Sequence, residues 1–318
     1  MRAMTIAGAG GPEVLTLAQI ARPVRISAEV LVRVVAAGVN PVDAKTRAGK
    51  GAFAAVTEFP LVLGNDFSGV VVEAAYEAHP LQPGVEVYGM GMVPRMSGAY
   101  AEYISVSSLS VVRKPAALSH VEAAAVPLAA MTAWGMVVET AKAHDGQRIL
   151  IHAGAGGVGH FAVQFASYFG AYVIATSSQR NASWLRELGA SEVIDYTAGR
   201  FEDQVHNVDA VIDLLGNVTD EVATRSLSTL RPGGLMVNGP TGSWPTMAED
   251  AEAAGVRATG YRVAPDGSTL AVISRLLESG AVRVFVDRVF DLEDAADAHR
   301  AIETGHTRGK LVLKVADG

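Results

Sequence analysis

Gly154, Gly156 and Gly159 fall on the spacing G-x-G-x-x-G within the run ILIHAGAGGVG at residues 149–159. The apolar run before them reads as a strand and the stretch after them as a helix, which is the setting this spacing requires. One glycine permits a tight turn, one lets the backbone approach a pyrophosphate, and a third lets helix and strand pack closely. Gly157 and Val158 lead into the helix, whose first amides would face phosphate oxygens from the favourable end of the helix dipole. The chemistry expected is dinucleotide binding, and the competing reading is a glycine-rich bend.

The end of the following strand selects between cofactors. An Asp or Glu about 20 residues beyond the start of the motif would hold the ribose diol of NAD. This chain reads Ala175-Thr176-Ser177-Ser178-Gln179-Arg180, with no acid. Ser177 and Ser178 can hydrogen-bond a 2′-phosphate, and Arg180 can pair with it as a planar fork. NADPH is therefore expected over NADH; otherwise Arg180 is a solvated residue before a helix. A metal is not expected. The chain has no Cys, and its eight His are scattered. His152 and His160 bracket the glycine loop without further ligands and read as packing or phosphate-touching groups.

The elements that must position these residues follow from breaks and periods. Residues 1–6, 14–18, 29–37, 61–73 and 85–88 form short strand-like runs, punctuated by Pro60, Gly64, Gly69, Pro83 and Gly84. They predict a compact barrel or partly open sheet. The character changes at Ser119, where Ser119 and Glu122 form a capping-box pattern. Strands at 148–152, 171–176, 192–195, 208–214, 235–238 and 256–263 then alternate with helices at 158–169, 181–188 and 219–230, the last ended by RPGG. This alternation predicts an α/β fold with a doubly wound parallel sheet. The tail (helix 268–278, strand 282–286, helix 292–304, strand 310–315) is expected to return to the first domain.

A chain of 318 residues at roughly 150 per domain implies about two domains. With 49% hydrophobic and 19% charged residues, it has material for a large core. The net charge of −7 and the lack of a Lys/Arg block argue against nucleic-acid binding. The uncharged stretch 123–138 holds Pro127 and is shorter than the roughly 18 residues of a membrane span. The opening MRAMTIAGAG lacks the apolar core of a signal peptide. With no Cys, a cytoplasmic location is expected.

Further runs occur in order: GGPEVL at 10–15, GVNPVDAKTRAG at 38–49, PLVLGNDFSGVV at 60–71, GAYAEY at 98–103, VPLAAMTAW at 126–134, LGASEVIDY at 188–196 and GKLVLKV at 309–315. Together with the glycine loop, the chain resembles the medium-chain dehydrogenase/reductase superfamily in its zinc-independent quinone oxidoreductase branch. The resemblance implies a GroES-like β-rich catalytic domain from residues 1–122 and 265–318, and a Rossmann dinucleotide-binding domain from 123–264. It implies an active site in the cleft between domains and a homodimer paired through the Rossmann sheet. The segment matching the Gly-His-Glu of zinc-dependent members reads Gly64-Asn65-Asp66 here.

The function so implied is transfer of hydride from NADPH to a quinone or an α,β-unsaturated carbonyl without metal. Carbonyl polarisation then falls to hydrogen-bond donors. The resemblance places Asn40 near the nicotinamide, where its amide could donate; the alternative is an Asx-turn before Pro41. Asp43 and Lys45 could relay a proton or form a surface pair. Thr132 resembles the threonine that contacts the nicotinamide, and Tyr196 the residue beside the adenine ribose phosphate. Leu214 and Gly239 would line the cofactor groove. The loop after Gly49 offers Phe53 and no tyrosine, so a phenolic acid there is unavailable. No tyrosine has lysine four residues on, which sets aside a short-chain reductase. A non-catalytic NADPH-binding relative and a free-standing enoyl reductase remain as alternatives.

Overall fold

The computed structural model describes residues 1–92, 98–218 and 220–317. The chain divides into two compact units, Met1–Met131 with Ala264–Gly318, and Thr132–Val263. The first division falls inside the helix Pro127–Trp134, later than the expected end at residue 122. Leu128 explains part of this shift: its N–H donates to Asp66 Oδ1 at 2.9 Å, tying the helix start to a strand of the first unit.

The second unit holds a six-stranded parallel sheet in the spatial order Glu192–Asp195, Tyr172–Ser177, Arg148–Ile151, Val208–Asp213, Leu230–Asn238, Arg257–Gly260. Numbered along the chain, that order is third-second-first-fourth-fifth-sixth, the arrangement of dinucleotide-binding sheets. Ile149, Leu150 and Ile151 are fully buried, as a central strand covered on both faces requires. Two expectations need correction. The helix expected over 219–230 forms as Val222–Ser226 with a 3₁₀ turn Leu227–Thr229, and Thr219 lies outside the described residues. RPGG does not end that helix. It lies inside the strand Leu230–Asn238, where pairing with the neighbouring strand jumps from Val208↔Leu230 to Ala210↔Leu235. Gly233, at φ +70°, gives the irregularity its backbone turn.

The first unit is built on a seven-stranded sheet in the order Val286–Asp291, Lys310–Lys314, Glu29–Val39, Asp66–Glu73, Glu86–Met90, Val111–Arg113, with Tyr103–Ser107 also pairing to Glu29–Val39. A smaller sheet joins Thr16–Gln19, Arg2–Ile6 and Leu61–Val62. The strand expected at 282–286 instead runs Val286–Asp291, a half-exposed edge that tolerates Asp287 and Arg288 because only one neighbour, Lys310–Lys314, pairs with it. Val32, Val34, Phe67, Tyr100, Leu311 and Leu313 belong to its main core. Among the described residues no helix is long and apolar enough to cross a membrane.

Candidate active site

The glycine turn joins the first strand of the parallel sheet to the ten-residue helix Gly159–Tyr168. Ala153 takes a left-handed conformation at φ +49°, and the Gly154 N–H donates to the Thr176 carbonyl at 3.0 Å. A Cβ on Gly159 would lie 2.1 Å from the Ala153 carbonyl oxygen, and one on Gly154 2.9 Å from Ala175 Cβ. Both glycines are demanded by packing. A Cβ on Gly156 would meet only the Ala153 oxygen, at 3.3 Å, so its side of the turn is open. The cradle therefore fits a pyrophosphate, with Gly156, Gly157 and Val158 lining the approach to the helix start.

His152 braces this turn from beneath. Its ring is buried, with Nδ1 3.1 Å from Thr176 Oγ1 and Nε2 2.8 Å from Ser226 Oγ. Ser226 Oγ donates to the Val222 carbonyl at 2.6 Å. Nε2 therefore carries the proton and donates to Ser226, while Nδ1 accepts from Thr176. Burial pulls this imidazole down to about 4. His160 is also buried, with Nδ1 3.1 Å from the Gly156 carbonyl and its ring near Trp184. Both rings are thus held in buried protein contacts.

The adenosine-side candidates converge at the carboxyl ends of neighbouring strands. Ser177 pairs in register with Asp195, so Ser178 and Tyr196 emerge side by side. Arg180 is exposed in the 3₁₀ turn Gln179–Asn181, and Tyr196 is exposed. The Ser177 hydroxyl is buried and donates to the Ser178 carbonyl at 3.0 Å. Leu214 and Gly239 follow the fourth and fifth strands, joined by the Gly239 N–H to the Asp213 carbonyl at 2.9 Å. The buried Asp213 carboxylate stiffens that edge, accepting from Leu215 N–H, Gly216 N–H and Asn238 Nδ2. Thr132 lies in the last turn of Pro127–Trp134, which runs on into a π-helical turn, Gly135–Thr140. An open cavity of about 430 Å³ lies at the ends of the fifth and sixth strands, lined by Asn238, Trp244, Met247, Tyr261 and Arg262 among others.

The other candidates lie in the first unit, in a buried polar cluster. Asn40 caps the helix Pro41–Arg47, and its backbone N–H donates to Asp43 Oδ2 at 2.9 Å. The Asn40 side chain leaves that cap. Its Nδ2 donates to Asp66 Oδ2 at 2.9 Å, and its Oδ1 accepts from Lys310 Nζ. Asp43 also accepts from Asn65 Nδ2 at 3.3 Å and from the Tyr100 hydroxyl at 3.2 Å, which in turn meets His299 Nε2 at 3.2 Å. Asn40, Asp43, Asn65, Asp66 and Lys310 are all 3% exposed or less. Burial pushes the Asp43 carboxyl up to about 7. It also raises Asp66 and lowers Lys310, while each of these two helps hold the other charged. The structure separates Asp43 from Lys45: Lys45 is exposed, because side chains two apart on a helix point to different faces. Lys310 is the cation of this cluster, and the sequence reading missed it, along with Asp66, Tyr100 and His299. The signal was faint: GKLVLKV reads as an ordinary strand with a lysine on either side of the apolar run Leu311-Val312-Leu313.

Two family models match parts of the chain. An alcohol dehydrogenase GroES-like domain matches residues 27–116, and a zinc-binding dehydrogenase domain matches residues 188–313. The chain is 35% identical over 326 residues to the mitochondrial NAD(P)H oxidoreductase RTN4IP1 of Danio rerio, covering 91% of this chain and 84% of that one. It is 34% identical to the chloroplastic NADPH-dependent alkenal/one oxidoreductase of Arabidopsis thaliana, covering 98% and 79%. The solved quinone oxidoreductase of Coxiella burnetii matches with a TM-score of 0.93 at 36% identity, over 99% of each chain. The fold and glycine turn define a nucleotide-dependent oxidoreductase, and the chain belongs to the medium-chain dehydrogenase/reductase superfamily, in its quinone oxidoreductase branch.

The zinc in that domain description does not fit the donors present. Cys is 0, and no group of three or more His, Asp or Glu among the described residues could hold a metal. The carboxylates of Asp43 and Asp66 are committed to amides, a phenol and an ammonium group.

Proposed function

We propose that this chain is an NADPH-dependent reductase whose hydride acceptor is a quinone or an α,β-unsaturated carbonyl, acting without zinc. The observation that carries the reading is the Asn40 amide, held in a buried polar cluster with one N–H uncommitted to any described residue. When bound, the reduced nicotinamide supplies a hydride. The protein's part is to bind, orient and polarise.

Ser178 and Arg180, with Ser177 beneath, bind the 2′-phosphate, and Tyr196 lies beside the adenosine. Gly154, Gly156, Gly157, Val158 and Gly159 cradle the pyrophosphate, while Thr132, Leu214 and Gly239 line the nicotinamide end. Asn40 donates its free N–H to the acceptor oxygen as charge develops there. Asp43 holds the backbone of Asn40 and a proton near neutral pH. The choice of NADPH rests on the acid-free end of the second strand, and the alkenal/one relative is named as NADPH-dependent. We also infer a homodimer, because Arg257–Gly260 leaves a half-exposed strand edge that a second copy could cover. The cytoplasmic location is part of the proposal; it rests on the absence of cysteine, and the two named relatives are organellar.

The test is NADPH consumption by purified, chelator-treated protein with a quinone and, in parallel, a simple enone. Turnover with either acceptor supports the reading and ranks the substrate class. Tight NADPH binding without turnover of either acceptor favours the non-catalytic alternative.

A further inference from the structure

We infer that Lys310 and Asp66 act as a pair of positioning residues that fix and polarise the Asn40 amide, taking the place of a metal in activating the acceptor oxygen. The inference rests on the proposed role of Asn40 as the donor.

An asparagine amide is ambiguous by itself, because its oxygen and nitrogen ends are nearly the same shape. Here its neighbours remove the ambiguity. An ammonium group has only hydrogens to give, so the end facing Lys310 Nζ must be Oδ1. The Asp66 Oδ2 atom, 2.9 Å away, accepts, so the opposite end must be Nδ2. A flipped amide would set Nδ2 against the ammonium group and Oδ1 against the carboxylate, and both contacts would be repulsive. Asn40 can therefore present only a donor to anything that meets its remaining N–H.

The two neighbours are themselves fixed. Lys310 Nζ also donates to the Val39 carbonyl at 3.1 Å and lies 3.8 Å from Asp66 Oδ2. Asp66 Oδ1 is held by the Leu128 N–H. Gly38 makes room for this carboxylate, since a Cβ there would lie 2.9 Å from Asp66 Cβ and 2.3 Å from the Ala124 carbonyl. Gly309, at φ +75°, turns the chain immediately before Lys310, so that the strand Lys310–Lys314 begins with Nζ in the cluster. A cation on the carbonyl end withdraws electron density from the amide and sharpens its N–H as a donor. Hydrogen bonds in a chain polarise one another most strongly where water is excluded. As negative charge builds on the acceptor oxygen, the ammonium behind the amide stabilises it through the amide dipole, with no reorganisation needed.

The experiment uses full-length protein with NADPH and whichever acceptor turns over. The variants are Lys310→Met, Asp66→Asn/Lys310→Met, Asn40→Ala and Asn40→Ala/Lys310→Met. The charge-neutral double variant guards against a fold lost to one stranded buried charge. Lys310→Met, or the neutral double variant if the single one does not fold, is expected to lower kcat by about 10- to 100-fold, with KM and NADPH affinity within about threefold. In the Asn40→Ala background, the Lys310 change should add less than about twofold, because the group through which it acts is gone. A readout independent of turnover is the Asn40 side-chain amide in nitrogen-edited NMR of the cofactor-free protein. Its two protons should be widely separated and one slow to exchange, and both features should collapse in Asp66→Asn/Lys310→Met. Full kcat in the neutral double variant, or an equal loss with and without Asn40, overturns the inference while leaving Asn40 as donor. Unchanged kcat in Asn40→Ala overturns the donor reading itself.

Discussion

At the residue scale, the proposed preference for NADPH rests on the exposed Arg180 and its neighbour Ser178. Arg180 stands in the 3₁₀ turn Gln179–Asn181 after the second strand, and the proposed function sets a 2′-phosphate beside it, where an acid would repel that group. A guanidinium–phosphate hydrogen bond is of the strong, charge-assisted kind. Replacing Arg180 with alanine is expected to weaken NADPH binding by about 10- to 100-fold and to change NADH by less than about threefold. Titration of each cofactor by nicotinamide fluorescence decides it, and equal losses for both would remove the assigned role. The placement of these residues at a strand end was legible because it is local: the stretch Ser177–Arg180 closes a strand and opens a turn. Lys310 was not legible. It lies 270 residues from Asn40 in sequence, and a lysine is almost never fully buried unless paired, so nothing near it announced where its ammonium would go.

At the element scale, the glycine turn separates the demands of folding from those of binding. Gly154 and Gly159 are required by the packing of strand, turn and helix, whereas a Cβ on Gly156 would meet only the Ala153 carbonyl oxygen. Gly156→Ala should leave the melting temperature within a few degrees, because its new methyl group meets only one atom, at 3.3 Å. The same variant should lose most NADPH affinity, because the methyl group stands where the pyrophosphate must approach. Gly159→Ala would force a Cβ to 2.1 Å from a backbone oxygen and should cost stability before binding is in question. Thermal melts with and without NADPH read both effects. The same contrast explains which elements the sequence revealed. Strands rich in Val and Ile, such as Arg148–Ile151 and Val208–Asp213, announced themselves, and the capping box at Ser119 and Glu122 formed as read. The short helix Pro41–Arg47, which carries Asn40 and Asp43, was read as a motif and not as a helix. Its two-turn length is too short for a period, and its buried face includes the polar Asp43, Thr46 and Arg47.

At the scale of the whole molecule, two buried groups, His152 in the second unit and Asp43 in the first, respond to pH in opposite directions. His152, in the second unit, is pulled by burial from its ordinary 6.5 to about 4. The unfolded chain therefore binds a proton there that the folded one refuses, and the stability this site contributes is lost as pH falls from 6.5 towards 4. Asp43, in the first unit, is pushed by burial from its ordinary 3.8 to about 7. The folded chain holds the extra proton, so this site's contribution is full at low pH and is lost as pH rises from about 4 to 7. One proton of difference corresponds to about 1.4 kcal/mol per pH unit. The gap in stability between wild type and His152→Gln should thus move in wild type's favour as pH rises from 4 to 6.5. Against Asp43→Asn it should move the other way between 4 and 7. All three tryptophans, Trp134, Trp184 and Trp244, lie in the second unit, so their fluorescence follows that unit alone. Urea unfolding by fluorescence, repeated across this pH range, should report the His152 slope directly. It will report the Asp43 slope only if the two units unfold as one cooperative system. Identical slopes for wild type and both variants would show that neither group is perturbed by burial as described. A fluorescence transition blind to Asp43→Asn, while circular dichroism detects the change, would show that the polar cluster of the first unit and the nucleotide turn of the second are stabilised independently.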